Sequence, residues 1–485
     1  HLGAGISMSR LLFHGEPVIT YVELVGLKAR INRPMPGSPL NIQPIIDALK
    51  PKDKNKPPTR FDLQINTIVI RQSQLAYDVL SAPTTPGHFN PAHIHIDDLK
   101  ADISIPKLSN DDFDIELKRL SATEHSGLTI TRLQTNATVT ENGIDLRNTE
   151  LRMPESTIRF SDIDIKFDGW QDIAPSILHQ PHHVAILPGS HVTLADLGAL
   201  VPQLRNFNRQ VDIELAAIGS ADSIALEHFD LSLPDEKAWI MCQGHIRGLD
   251  SIRTASLHLS RLSVNATGKE ITDIAGSFTQ LSPMAVRTIC NLGQICLNGS
   301  IDAANDNVNF NGSLSTTPGA FDLRANARRL SATGSRISGQ IRSARLGIGS
   351  ILNNNDLGTA GIDITFDATM GRRHRNGTID CTLGHIEWKG HRYADISSAF
   401  TFDDTRYTGT LTIEDSAIDL IAEGEIVIDE DTPRFDFHAG LGHVDFATLG
   451  VWDKYPDHTL SATIDAHFSG NTIDTADGSL VVSDI

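Results

Sequence analysis

Residues 128–167 read LTITRLQTNATVTENGIDLRNTELRMPESTIRFSDIDIKF, and this stretch decides the fold. Apolar residues recur at every second position: Leu128, Ile130, Ile144, Leu146, Ile158, Phe160, Ile163, Ile165 and Phe167 stand between polar neighbours. A period of two puts alternate side chains on opposite sides of an extended chain. Each run therefore reads as a half-buried strand with one apolar and one wet face. Asn142-Gly143, between two such runs, signals a tight hairpin, because both residues tolerate positive φ.

The same texture extends outward. Upstream, Ile94, Ile96, Ile103 and Ile105 alternate with His93, His95, Asp102 and Ser104, and Phe113, Ile115 and Leu117 with Asp114, Glu116 and Lys118. Leu63 and Ile65 open the first long strand after Phe61. Downstream, residues 378–441 read as a meander punctuated by Asp403-Asp404, Glu414-Asp415 and Asp429-Glu430-Asp431. Helical spacing is rare. It occurs at 39–50 (Ile42, Ile45, Ile46, Leu49), at 193–204 (Leu194, Leu197, Leu200, Leu204, with Thr193 as N-cap) and after Ser282-Pro283. Leu-Gly-centred turns near 191, 344 and 443 echo one another. They suggest an N-terminal piece, 1–58, closed by a Lys/Pro linker, and then β modules over 59–205, 206–350 and 351–485.

Composition narrows the functions. The 485 residues are 40% hydrophobic, enough for a core, and 41 basic against 60 acidic side chains give a net charge of −19. Such a surface repels phosphate backbones, so no nucleic-acid partner is expected. No apolar run approaches the ~18 residues of a membrane-spanning helix. The chain opens at His1 and stops within the alternating run SLVVSDI, so both ends read as cut from a longer protein. Four cysteines are too few for a disulfide scaffold. Cys290 and Cys296 are close enough in sequence to bridge in an oxidising compartment, or else are small buried hydrophobes. GxSxG, HExxH, P-loop and CxxC patterns are missing, and Gly3-Ala4-Gly5 has Met8 in place of a third glycine. The reading is therefore no enzyme, no cofactor and no metal. His93-Ile94-His95, with His88 nearby, has no third ligand fixed by spacing. Phe outnumbers Tyr and Trp, 18 against 5 and 4, a balance that suits hydrocarbon better than sugar.

A sheet with one apolar face must pack on a second layer or curl on itself. The few helices here leave curling as the expected solution. The residues then look familiar. FDLQINTIVIRQSQLAYDVLSAPTTPGHFNPAHIHIDDL (61–99), with its Tyr77-Asp78 corner and Pro86–Phe89 turn, resembles an early segment of TamB-like proteins of Bacteroidetes-type Gram-negative envelopes. Residues 385–415 and 453–485 resemble later parts of the same family, a branch of the AsmA-like group. The resemblance implies an all-β fold with a few short helices. In it a long curved antiparallel sheet forms a taco-like, repeating groove with an apolar lumen. It also implies a periplasmic location, an inner-membrane anchor helix upstream and an Omp85-class outer-membrane partner met through a C-terminal domain, both outside this chain. Transport of phospholipid acyl chains is the implied function. The alternatives are a scaffold for outer-membrane β-barrel assembly and a β-solenoid adhesin or polysaccharide-active protein. Under the leading reading the groove lining comprises Leu63, Ile65 and the apolar sets above.

Overall fold

The computed structural model describes residues 1–7, 12, 19–44, 66–87, 89–108, 112–167, 180–220, 222–234, 237–248, 255–278, 280–331, 334–371, 374–428, 433–449, 458–470 and 477–485. Leu63, Ile65 and residues 45–50 of the helix expected at 39–50 lie outside the described residues. The protein is all-β, as the alternation predicts, with 28 strands and a few short helices among the described residues. It divides into two compact units, His1–Trp239 and Ile240–Ile485.

In the first unit, Thr67–Val79, His93–Leu108, Asp112–Thr123, Thr129–Thr140 and Gly143–Arg152 pair antiparallel in sequence order. Gly143–Arg152 then pairs with both Thr157–Arg159 and Ile163–Lys166. The antiparallel expectation fails at one edge. Ile19–Val25 and Lys28–Arg33 both run parallel to Thr67–Val79, end to end along its flank. The break between them is filled by Ser73, whose fully buried hydroxyl accepts the Leu27 N–H at 3.1 Å and donates to the Arg71 carbonyl at 2.9 Å. The hairpin at 140–143 forms, but for another reason than the one expected. Neither Asn142 nor Gly143 has a positive φ. Gly143 instead permits close approach, since a Cβ there would lie 2.9 Å from the Ile165 carbonyl oxygen.

In the second unit, thirteen strands from Ser256–Thr267 to Asp477–Ser483 pair antiparallel, each with its sequence neighbour. Two tight links carry consecutive left-handed residues, Asn305-Asp306 and Lys389-Gly390. That conformation matches the right-handed twist of the flanking strands.

The helices differ in part from expectation. Thr193–Leu204 is not an amphipathic α-helix. It forms two 3-10 turns, Leu194–Ala199 and Pro202–Leu204. The Thr193 hydroxyl donates to the Glu155 carbonyl and does not cap the turn. Pro202 interrupts the ladder, and Leu200 is left exposed. The helix after Ser282 does form, as Pro283–Asn291, with the Ser282 hydroxyl accepting from Ala285 N–H. Before it stands an unexpected helix, Gly268–Phe278. Its start is a capping box: Thr267 N–H donates to the Glu270 carboxylate at 2.8 Å, and Glu270 N–H to the Thr267 hydroxyl at 3.3 Å. Cys290 and Cys296 are both free thiols.

Candidate functional site

Strand register decides which side chains share a face, because directly opposed residues project to the same side. In the first unit an apolar row crosses eight strands without a break: Leu2, Leu24, Ile70, Ala101, Leu120, Leu133, Leu151 and Ile158. A shorter row joins Ile68, Ile103 and Leu117. Two more join Ile115 to Ala137, Leu146 and Ile163, and Phe113 to Val139, Ile144 and Ile165. Most of the residues singled out by alternation are thus brought onto common rows. Ile94 and Ile96 pair with Tyr77 and Leu75. Ile130 opposes Ala122, Phe160 bridges to Ile186, and Phe167 is buried just past the strand Ile163–Lys166. Ile105 and Leu128 are half-buried beside these rows.

Sequence reading named no lining residue in the second unit, yet the pattern is cleaner there. One row runs Leu259, Ile301, Phe310, Ala325, Gly339, Phe366, Ile379, Phe400, Gly409, Gly424, Phe437, Ala466, Leu480, across all thirteen strands. A row on each side is largely apolar. One includes Leu323, Ile341, Ile364 and Leu411, and the other Val308, Ile337, Phe402, Tyr407 and Phe435. Phe366, Ile379, Phe400 and Phe437 are half-buried, whereas Thr365, Asp380, Thr401 and His438 between them are exposed.

Glycine shapes this floor. The Phe310 ring lies over the opposed pair Gly299 and Gly312, where added Cβ atoms would meet it at 3.0 and 2.8 Å. The opposed pair Gly409 and Gly424 is flanked by Phe400 and Phe437. Between these rings, Leu411, Ala422, Tyr407 and Ile426 complete an apolar concavity of 540 Å³. Glycine thus supplies depth and phenylalanine the walls.

The opposite face carries the charge. Arg336 holds Asp367 with two guanidinium nitrogens, Nε and Nη2, at 2.8 and 2.5 Å, and keeps that carboxyl below its ordinary pKa. His438 sits 2.7 Å from Asp465, its directly opposed neighbour, and the Asp465 hydrogen bond raises the imidazole pKa. In the first unit Arg147 bridges Asp162 at 2.6 Å and Asp164 at 3.2 Å. Asp164 directly opposes Asp145, whose pKa is raised by burial first and by Asp164 second. These acids are held by cross-strand partners, and their placement is that of a solvated face.

His93 and His95 are not free strand histidines. Both approach the same Asp78 oxygen, at 2.9 and 3.0 Å, and the other nitrogen of His93 meets the Ala82 carbonyl at 3.0 Å. A carboxylate and a carbonyl only accept, so His93 is fully satisfied as the imidazolium. Its pKa is raised accordingly, chiefly by Asp78. Among the described residues one group, His374, Asp403 and Asp404, brings three possible metal ligands within 4.8 Å. It sits at an exposed hairpin end, and its imidazole is engaged by Asp404 at 2.8 Å. Asp415 lies 3.4 Å from His391, the residue opposed to the exposed Trp388, and it receives the N–H groups of Ala394 and Ala417 and so holds a turn. Trp452 lies outside the described residues. Comparison of the chain with family models, curated proteins and solved structures returns no match.

Proposed function

We propose that the chain is part of a bridge-like lipid-transfer protein of the TamB/AsmA-like kind, carrying phospholipid acyl chains along an apolar β-groove between the inner and outer membranes. The observation that carries this reading is the set of apolar rows crossing thirteen consecutive strands of the second unit. At about 4.8 Å between strands the path is roughly 60 Å long. Of the large side chains along it, Phe310, Phe366, Ile379, Phe400 and Phe437 are half-buried where a packed sandwich would seal them. A path of hydrocarbon-compatible floor, with charge on the other face and at the strand ends, lets acyl chains move along its middle without desolvating an ion. The periplasmic setting, the inner-membrane anchor and the Omp85-class partner come with the family resemblance and stand or fall with it. The chain's role is that of a conduit, with no reaction of its own.

The test is native mass spectrometry of detergent-free protein, joined to photo-crosslinking. A crosslinker at Ile379 should capture phospholipid, and one at its wet-face neighbour Thr378 should not. Equal capture at both, or a lipid-free protein in every preparation, refutes the conduit.

A further inference from the structure

Residues 319–346 hold six arginines, Arg324, Arg328, Arg329, Arg336, Arg342 and Arg345, against one acid, Asp322, in a chain of net charge −19. Arg336 and Arg342 are committed to Asp367 and Asp363. Arg329 has no ion pair among the described residues, and strand alternation puts it on the side of Leu323, Ala325 and Ala327, at the end of the apolar face. Its neighbour Arg328 projects to the wet face, opposite Arg336.

At that end lies a concavity of 940 Å³. Leu257, Ala303 and Val308 form its floor and continue the apolar row that includes Ile337. Leu330 and Val308 are 53% and 42% exposed. Arg329 and Asp306 line the same concavity without forming an ion pair. The Asp306 carbonyl accepts the Arg329 N–H at 2.8 Å, which fixes the two residues side by side. Opposite charges left uncombined at the mouth of an apolar hollow complement a ligand that carries both charges on a hydrocarbon body.

We infer that this concavity is the headgroup seat of a zwitterionic phospholipid, with the phosphate on the Arg329 guanidinium, the ammonium by the Asp306 carboxylate and the acyl chains over Leu257, Val308 and Leu330. The inference rests on the conduit reading and adds a point of headgroup recognition to it. A guanidinium matches a phosphate with two parallel N–H donors, and it does so best beside apolar surface that limits competing water. A carboxylate beside it disfavours lipids whose headgroup carries only negative charge.

The test uses delipidated protein equilibrated with vesicles holding phosphatidylethanolamine, phosphatidylglycerol and diacylglycerol of one acyl composition, with bound lipid weighed by mass spectrometry. Wild type should take phosphatidylethanolamine over diacylglycerol by roughly tenfold, and Arg329→Gln should erase that preference with the diacylglycerol load unchanged. Arg329→Lys, which keeps the charge without the fork, should fall between the two. Asp306→Asn should lower phosphatidylethanolamine relative to phosphatidylglycerol roughly threefold. A preference that survives Arg329→Gln, or a load that falls equally for all three lipids, overturns the headgroup seat alone. A wild-type protein that takes up none of them overturns the conduit and the seat together.

Discussion

Alanine at Gly409 perturbs the floor where two strands approach closely. A Cβ there would stand 2.4 Å from the Phe400 Cβ, 2.5 Å from the Ala399 carbonyl oxygen and 2.8 Å from the Phe400 Cα. These obstacles are backbone or first side-chain atoms, so no rotamer change relieves them, and the strands Arg406–Glu414 and His391–Asp403 must part. Overpacking of this kind costs about 1–3 kcal/mol. Alanine returns about 0.4–1 kcal/mol by restricting the unfolded chain. The balance is a loss of about 1–2 kcal/mol, which is roughly a five- to thirtyfold rise in local opening. Gly384 provides the control, because nothing lies within 4 Å of a Cβ there. Gly384→Ala should be neutral or slightly stabilising. Hydrogen exchange over Arg406–Glu414 and Ile418–Val427 for Gly409→Ala, and over Arg375–Trp388 for Gly384→Ala, each against wild type, reads both variants locally, without assuming that the two units unfold together. If Gly409→Ala proved as well protected as Gly384→Ala, glycine would not be required by close approach, and the account of the concavity would fail.

Ile163→Asp with Ile165→Asp should reduce the lipid load while keeping strand content, since each half-buried isoleucine contributes about 1 kcal/mol of burial. Asp162→Asn leaves the apolar row intact and serves as control; a full lipid load with both new aspartates present would refute the groove floor in the first unit. Asp145→Asn removes one of two directly opposed carboxylates and should stabilise by about 0.2–1 kcal/mol at pH 7. Because burial and Asp164 raise the Asp145 pKa, the wild-type penalty grows as pH rises from the ordinary carboxylate range through that raised value, so denaturation midpoints of the two proteins should converge near pH 4. The His93 link responds in the opposite region. Its raised pKa makes its contribution complete below the ordinary value of 6.5 and lost as pH rises through the folded value, while the lowered pKa of Asp78 preserves the link until acid protonates that carboxyl. Intrinsic-rate-corrected exchange protection at Val79 and His93 should therefore peak near pH 5–6 and decline by pH 8. His93→Gln should flatten that profile, and an unchanged profile would refute the latch.

What the sequence made legible was periodicity among large residues. Phe113, Ile115, Ile144, Leu146, Ile163 and Ile165 alternate over short spans, and register joins them as alternation requires. The second unit escaped that reading because its apolar rows pass through Ala325, Gly339, Gly409, Gly424 and Ala466, which a count of bulky side chains passes over. Glycine weakens strand propensity when a residue is judged singly. Judged across the ladder, it is the residue over which a facing phenylalanine can settle, as Phe310 does over Gly299 and Gly312. The capping box at Thr267 and Glu270 was present as a T-x-x-E pattern and is readable in retrospect. The parallel pairing of Ile19–Val25 with Thr67–Val79 has no comparable local sign, since its partners lie more than forty residues apart and the join depends on the buried hydroxyl of Ser73.

Charge follows the same logic. A net charge of −19 spread over turns and a wet face says nothing of where a cation stands unpaired. Only register separates Arg328, which faces water opposite Arg336, from Arg329, which projects at the end of the apolar face. Adjacent residues of the same type thereby acquire different chemical roles from a single step in φ and ψ. If the face carries lipid, the arginine on its side decides which headgroup can stop there, and the arginine on the other side only keeps the sheet in water.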